Sequence, residues 1–186
     1  MHARGFTLIE LLVSVAVFSV VMLIAVGSLL TMAEASRKAQ ALKSVMNNLN
    51  FAMESMSRTI RVGASYTCGS TCESNGSTYL SLEGSGGDRD TLADQVVYCL
   101  GSGSSCSSSG NSILRSLNGG GTFVPITASE VIIEDLKFYV VGELSGSADN
   151  IQPKVVIVLR GYTEISKKTR TEFNLQTTIT QRLLDL

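Results

Sequence analysis

Histidine is nearly absent from this sequence, and its scarcity excludes several kinds of chemistry. The single histidine is His2, so the rest of the chain cannot form a histidine-based catalytic triad, an H-E-x-x-H zinc site or a histidine general base. The phosphate-binding pattern G-x-x-x-x-G-K-S/T is missing as well. The formal net charge is −1, which provides no field that would attract nucleic acid or an anionic lipid surface. We therefore predict a protein that is not an enzyme and binds neither a cofactor nor nucleic acid.

Carboxylates are the remaining candidates for a metal site or an acid–base pair. Asp88, Asp90 and Asp94 could supply oxygen ligands to calcium, but the segment GGDRDTLAD lacks the spacing of a known calcium loop. We expect a solvated turn there and no metal. Glu134 and Asp135 are adjacent in a predicted strand, where successive side chains point to opposite faces. We therefore expect that these two acids do not act together.

Charge and proline are both missing from a long segment near the N-terminus. No residue from Leu11 to Ala33 is charged, and the first proline of the chain is Pro125. The segment is hydrophobic all round rather than in a stripe, and as a helix it would cross about 30 Å of hydrocarbon. An ordinary secretory signal has a shorter apolar core that ends at a small-residue cleavage site. The pattern therefore predicts a membrane-spanning helix, and not a buried core helix or a secretory signal.

The pattern changes at Glu34 and predicts that the same helix continues to Val62 with one apolar face. Apolar residues recur there at spacings of three and four. We expect this stripe to pack against the chain's own sheet, and a Met-rich binding groove is the alternative. The stripe consists of Leu42, Val45, Met46, Leu49, Ala52, Met53, Met56 and Ile60. The whole helix, from about Thr7 to Val62, would be about 80 Å long and would end at Gly63.

Glu10 stands at the edge of the apolar segment without an evident partner. An acid at the mouth of a membrane helix is costly unless it is paired, and the first cation after it is Arg37. A signal anchor with an incidental acid at the membrane surface is one explanation. A partner on another molecule is the other.

The segment from Gly5 to Glu10, GFTLIE, together with the apolar run after it, resembles the class III signal of type IV prepilins and pseudopilins. The short basic sequence before it, MHAR, is typical of the leaders of the same family. The resemblance implies that residues 1–5 form a leader peptide, which a membrane-bound prepilin peptidase removes between Gly5 and Phe6. The same enzyme would then methylate the new amine of Phe6.

The resemblance also implies a partner for Glu10. In filaments of the family, the corresponding carboxylate is thought to neutralise the α-amine of a neighbouring subunit's first residue, here Phe6. Two opposite charges that are each costly in a medium of low dielectric offset that cost when they pair. Residues 6–33 would accordingly form the transmembrane and filament-core part of the helix, and residues 34–62 its amphipathic half.

Beyond Gly63 the sequence predicts β-structure with flexible links. Glycine- and serine-rich stretches separate short strand candidates, and the last third holds longer segments rich in Val, Ile, Thr and aromatic residues. The predicted strands cover residues 79–82, 95–100, 112–117, 131–141, 154–162 and 170–183. Residues 63–186 are thus expected to form an extracytoplasmic, β-rich pilin head. The predicted fold class is α+β, with the long N-terminal helix packed on an antiparallel sheet.

Four cysteines suggest disulfides in an oxidising compartment. They are Cys68, Cys72, Cys99 and Cys106, and of the three possible pairings the short spacings favour Cys68–Cys72 and Cys99–Cys106. Neither pair has the C-x-x-C spacing of a zinc site, and no histidine is near. Free buried thiols are the remaining alternative.

Two segments narrow the resemblance within the family. Residues 49–63 (LNFAMESMSRTIRVG) and 171–182 (TEFNLQTTITQR) resemble minor pilins and J-type pseudopilins, which sit at filament tips or prime assembly. The sequence therefore predicts a minor structural or assembly subunit of a type IV pilus or type II secretion pseudopilus. We expect it in the cytoplasmic membrane, with its N-terminus in the cytoplasm and its head outside, and then in a filament at the cell surface or in the periplasm.

The expected partners follow from the same resemblance. They are the prepilin peptidase/methyltransferase, other pilin or pseudopilin subunits, the inner-membrane assembly platform and membrane lipid. The alternative function is that of a membrane-anchored extracytoplasmic binding module that joins no filament.

Overall fold

The computed structural model describes residues 5–68, 72–87, 91–142, 152–166 and 169–182. Within these ranges one long helix is followed by antiparallel β-structure, which confirms the predicted α+β class. The chain divides into two compact units, Met1–Lys43 and Ser44–Leu186. Helix α1, Leu8–Val62, contributes to both units and matches the extent predicted from the apolar pattern.

Helix α1 begins at a side-chain cap. The hydroxyl oxygen of Thr7 accepts a hydrogen bond from the backbone N–H of Glu10 over 3.4 Å, and the Thr7 carbonyl accepts one from Leu11 over 3.2 Å. A threonine followed three residues later by a glutamate is the pattern of a capping box. The helix then continues unbroken through Gly27, although a glycine costs roughly 1 kcal/mol relative to alanine inside a helix.

Hydroxyl groups within the apolar segment are bonded to the helix itself. Ser14 and Ser19 each donate to the carbonyl oxygen four residues earlier, over 2.7 and 2.8 Å. Thr31 donates to the carbonyl oxygen of Ser28 over 2.8 Å. Because an unsatisfied polar group in hydrocarbon costs several kcal/mol, these internal bonds make the three side chains compatible with a membrane.

In the second unit, the C-terminal part of α1 buries the predicted apolar stripe. Its fully buried members are Val45, Leu49, Ala52, Met56 and Ile60. Met53 is half-buried against the same core. Met46 departs from the prediction, because its side chain is 39% exposed. It follows Val45 by one residue and is therefore turned roughly 100° away from it on a helix of 3.6 residues per turn.

Two antiparallel sheets complete the described part of the second unit. The strands are β1 (Ala64–Thr67), β2 (Tyr79–Glu83), β3 (Val96–Ser102), β4 (Ser105–Cys106), β5 (Ser112–Ser116), β6 (Val124–Pro125), β7 (Val131–Val141), β8 (Lys154–Ser166) and β9 (Thr169–Thr180). The first sheet has the order β1-β2-β3-β5-β6, with β4 paired to β3, and the second has the order β7-β8-β9.

Short elements lie in the connections between strands. A helical turn, α2 (Cys72–Asn75), precedes β2, and a 3-10 turn (Leu92–Asp94) precedes β3. Between α2 and β2, Ser77 exchanges two backbone hydrogen bonds of 2.9 and 2.8 Å with Phe138 in β7. This isolated bridge joins the two sheets.

One hydrophobic core holds the second unit together. The buried stripe of α1 lies in one cluster with the inward-facing rows of β7 and β8, which include Phe138, Ile157 and Leu159. Each of these three side chains is fully buried, and such burial contributes roughly 1.5–3 kcal/mol per side chain. In β9 the predicted alternation is present, but Phe173 and Leu175 are only half-buried, since β9 is an edge strand of the second sheet.

The structure corrects the prediction for Glu134 and Asp135. The pairing of β7 with β8 slips between Ile133 and Asp135, so that Glu134 is an extra residue in a β-bulge. Burial along β7 shows the result: Ile133 and Leu136 are buried, whereas the two acids between them are not. Both acids therefore lie on the outer face of the sheet, because a bulge interrupts the strict alternation on which the prediction depended.

A charged cluster surrounds the bulge. The Glu134 carboxylate accepts a hydrogen bond of 2.6 Å from Arg170 and lies 3.8 Å from Arg160. The Arg170 guanidinium also stacks over the ring of Tyr162 at 3.6 Å. The two arginines and Glu134 are partly exposed, so these contacts contribute little to stability and fix the bulge locally.

The C-terminal end of α1 is closed by residues that are not helical. Gly63 follows the last helical residue, as predicted, and a Cβ atom there would collide with the side chain of Leu82 and lie 2.8 Å from the carbonyl oxygen of Glu83. The buried hydroxyl of Tyr66 lies 2.6 Å from the carbonyl oxygen of Ile60 and 2.9 Å from that of Gly63. The close approach of Leu82 and Glu83 thus requires glycine at position 63.

Candidate functional site

The predicted cleavage junction lies just before the helix. Gly5 and Phe6 precede α1, in a stretch that is not helical. No described heavy atom comes within 4 Å of the place that a Cβ atom on Gly5 would occupy, and the side chain of Phe6 is 77% exposed. The peptide bond between the two residues is therefore accessible to a peptidase. Residues 1–4 of the predicted leader lie outside the described residues.

Glu10 lies in the first turn of α1 and is exposed. Among the residues that the structure describes, its carboxylate has no hydrogen bond or ion pair, while its backbone N–H bonds to the Thr7 cap. A negative charge is favourable in the first turn of a helix, where the unpaired N–H groups carry a partial positive charge. That local interaction was missed by the sequence reasoning, although the pattern T-x-x-E signals it.

The surface of α1 beyond Glu10 is apolar on every side. The described residues contain one helix that is long and apolar enough to cross a membrane, and none of its apolar window is buried. The exposed side chains belong to every face of the helix and include Leu11, Phe18, Ile24 and Leu30. An exposed apolar surface of this extent marks a segment that contacts lipid or other apolar helices.

Residues 1–26 match the family model described as the prokaryotic N-terminal methylation motif. This match supports a type IV pilin-like prepilin with a class III signal. No curated protein and no solved structure gives a significant match.

The described geometry of the N-terminus is compatible with the functions that this motif implies. The motif implies processing by a prepilin peptidase and assembly with other pilins. The exposed junction at Gly5 is compatible with the first step, and the exposed apolar helix with membrane anchoring before the second. Type IV pilin-like proteins form a structural family.

The four cysteines of the chain pair as their spacing predicted. Cys68 is bonded to Cys72 with a Cα–Cα distance of 5.6 Å, and Cys99 to Cys106 with a distance of 5.8 Å. No free cysteine remains. The first bond joins the end of β1 to α2, and the second joins β3 to β4 across their hairpin. Both disulfides therefore cross-link residues that are close in sequence and stabilise local turns of the head.

The structure describes one of the three calcium candidates. Asp94 ends the 3-10 turn before β3, whereas Asp88 and Asp90 lie outside the described residues. Glu83, which the sequence reasoning did not consider, is buried at the end of β2, and its carboxylate and that of Asp94 both lie near Gly87. In the described ranges, no group of three or more His, Cys, Asp or Glu residues could hold a metal ion.

Tyr98 is the buried titratable group in the centre of the first sheet. Burial raises the pKa of its hydroxyl above 10.0, while the hydroxyl of Thr59 and the guanidinium of Arg115 oppose that shift. The hydroxyl makes no hydrogen bond of good geometry within the described residues. Tyr98 thus adds a pH-sensitive position to the core, and no periodicity in the sequence signals it.

Proposed function

We propose that this prepilin is a minor structural or assembly subunit of a type IV pilus or of a type II secretion pseudopilus. The prepilin peptidase/methyltransferase cuts it between Gly5 and Phe6 and methylates the amine of Phe6. Residues 6–33 then hold the subunit in the cytoplasmic membrane, with the head, residues 63–186, on the extracytoplasmic side. The inner-membrane assembly platform moves it from lipid into the filament.

One observation carries the proposal: the apolar N-terminal part of α1 has no buried side chain, and it begins with a single acid, Glu10, whose carboxylate has no partner among the described residues. In the membrane, lipid covers the apolar side chains. In a filament, the helices of neighbouring subunits cover them, and the α-amine of a neighbour's Phe6 neutralises Glu10. Pairing removes two charges that would each be costly in an apolar medium. Exposed apolar side chains surround Glu10, so its carboxylate lies in apolar surroundings both in the membrane and in the filament.

Processing is tested by mass spectrometry of the protein from its native host. We expect a chain that begins with N-methylated Phe6. Replacing Gly5 by a large residue, as in Gly5→Leu, should block the cut, because the peptidase needs close approach to the backbone at this position. An intact Met1, or a cut within or beyond the apolar segment, contradicts the proposal.

The charge pair is tested separately from processing. A cysteine introduced at Val13 reports subunit contact through disulfide cross-linking between helices, in wild type and in Glu10→Ala, Glu10→Gln and Glu10→Asp. Cleavage and membrane insertion should persist in all of them, while cross-linking falls strongly in the Ala and Gln variants and partly in the Asp variant. Glu34→Gln, which removes the next acid of the same helix, is the matched control.

The same experiment examines the alternative, a membrane-anchored binding module that joins no filament. Removing an unpaired acid then makes the segment a better membrane helix and changes no contact between subunits. Equal cross-linking yields in wild type and Glu10→Ala would favour that anchor and exclude the charge pair.

A further inference from the structure

The head contains one acceptor pattern for asparagine-linked glycosylation. Asn75, Gly76 and Ser77 form N-x-S/T, in which a hydroxyl side chain follows the asparagine by two positions and the middle residue is not proline. No other asparagine of the sequence has Ser or Thr two positions later.

The fold presents Asn75 to solvent. Asn75 is the last residue of α2 and is exposed. The next residue, Gly76, is buried and has a φ of 67°, a left-handed conformation that glycine adopts readily. A Cβ atom on Gly76 would lie 2.8 Å from the ring of Tyr139. The chain therefore turns inward immediately after Asn75, and the asparagine stays on the outside of the turn.

The geometry points to Asn75 as an acceptor site for an oligosaccharide, and we propose that the exported head is glycosylated there. The co-substrate is an oligosaccharide linked to a polyprenyl pyrophosphate on the extracytoplasmic face of the membrane. The side-chain amide nitrogen of Asn75 forms a bond to the anomeric carbon of the first sugar, and the bond from that carbon to the pyrophosphate oxygen breaks. The amide gives up one proton, and the polyprenyl pyrophosphate is the leaving group.

Ser77 determines when the transfer takes place. Its hydroxyl oxygen accepts a hydrogen bond of 3.2 Å from the N–H of Tyr79, and its backbone pairs with Phe138. An enzyme that must bind the Ser77 hydroxyl reaches the acceptor before this bridge between the sheets closes, while the head is being exported. After closure Asn75 remains exposed, so the folded head accommodates a bulky, hydrated glycan at this position.

The inference goes beyond the assembly role and uses from it only the export of the head. The test is intact-mass and glycopeptide mass spectrometry of the full-length protein from membranes of its native host. We expect a glycan on the peptide that contains Asn75 in wild type and its complete loss in Asn75→Gln and Ser77→Ala. Ser77→Thr preserves the acceptor pattern and should restore the glycan.

Asn111→Gln is the matched control. Asn111 is also exposed and is followed by Ser112, but Ile113 occupies the position where the pattern requires a hydroxyl. The glycan should be unchanged in this variant.

Three results would overturn the inference: an unmodified Asn75, a peptide changed only by deamidation at the Asn75–Gly76 bond, or a glycan that persists in Asn75→Gln. The same spectra report the N-terminus of the chain. A start at Phe6 without a glycan rejects the acceptor site alone, whereas a glycan on a chain that retains Met1 rejects the processing step alone.

Discussion

The side-chain amide of Gln181 donates to the carbonyl oxygen of Gly63 over 3.1 Å, although the two residues are 118 positions apart. The backbone N–H of Arg182 donates to the carbonyl oxygen of Arg61 over 2.8 Å. The last carbonyl groups of a helix have no partner within it, and here the segment after β9 supplies the donors. Residues that follow the last strand therefore supply hydrogen-bond donors to carbonyl oxygens at the C-terminal end of α1.

Tyr66→Phe tests the other contact to this helix end. It removes a buried hydroxyl and leaves the carbonyl oxygen of Ile60 without that donor. We expect the free energy of unfolding to fall by about 1–3 kcal/mol, measured by urea unfolding of the detergent-solubilised chain. Tyr79→Phe is the control, because Tyr79 is 38% exposed. Equal midpoints for the two variants would show that the hydroxyl of Tyr66 does not stabilise the helix end.

Gly161→Ala should destabilise the second sheet. Gly161 lies opposite Phe173 in the pairing of β8 with β9, and a Cβ atom there would stand 2.8 Å from the Phe173 ring and collide with the carbonyl oxygen of Ile132. We expect a loss of about 1–3 kcal/mol in unfolding free energy, as for overpacking in a core. In Gly84→Ala the new methyl group would meet Val96 at 3.5 Å, an ordinary contact. A cost as large for Gly84→Ala as for Gly161→Ala would contradict this account.

The disulfides should stabilise the head by modest amounts, because both close short loops. The chain-entropy relation gives about 2 kcal/mol for Cys68–Cys72 and about 2.5 kcal/mol for Cys99–Cys106, with sequence separations of 4 and 7. Replacing each pair by serine and measuring urea midpoints tests these values. Alkylation of the exported wild-type protein without reductant should label no cysteine, and labelling of all four would reject the pairing in the cell.

The buried hydroxyl of Tyr98 should make the head sensitive to alkaline pH. Its pKa in the folded chain lies above the ordinary value of 10.0, so above that pH the unfolded chain loses the proton first. Stability is therefore unaffected at lower pH and falls as pH rises from the ordinary value towards the folded-state pKa. Unfolding free energy in Tyr98→Phe should fall less steeply with alkaline pH than in wild type. If unfolding free energy fell equally steeply with alkaline pH in both proteins, Tyr98 would be excluded as the cause of the loss of stability.

The helix and the long strands could be predicted because their signals are local. No proline interrupts residues 7–62, and the stripe from Val45 to Ile60 follows the helical period, so both ends of α1 were found to within one residue. The bounds of β7 agree with the prediction. Strand β8 continues beyond the predicted end at residue 162 to Ser166, whereas β9 begins one residue before the predicted start at residue 170 and ends at Thr180, short of the predicted residue 183. The N-terminal signal could also be predicted, since the six residues GFTLIE contain the cleavage glycine, the aromatic residue after it and the acid of the signal.

What the sequence did not reveal depends on distant pairing. Strands β4 and β6 have two residues each and form by pairing with a neighbouring strand. Two residues are too few to show a periodic pattern in the sequence. The bulge at Glu134 depends on the register between β7 and β8. Because of this bulge, Glu134 and Asp135 lie on the same face of the sheet and not on opposite faces as predicted. The roles of Tyr66 and Gln181 at the helix end could not be inferred either, because nothing in the local sequence marks them as partners of Ile60 and Gly63.

The closure of α1 has a mechanical consequence. Tyr66 belongs to β1, an end strand of the first sheet, and Arg182 follows β9, an end strand of the second. Tension applied along α1 therefore reaches both sheets at once through its last turn. The two sheets resist in parallel, so that neither edge strand must peel away alone before the other begins to share the force.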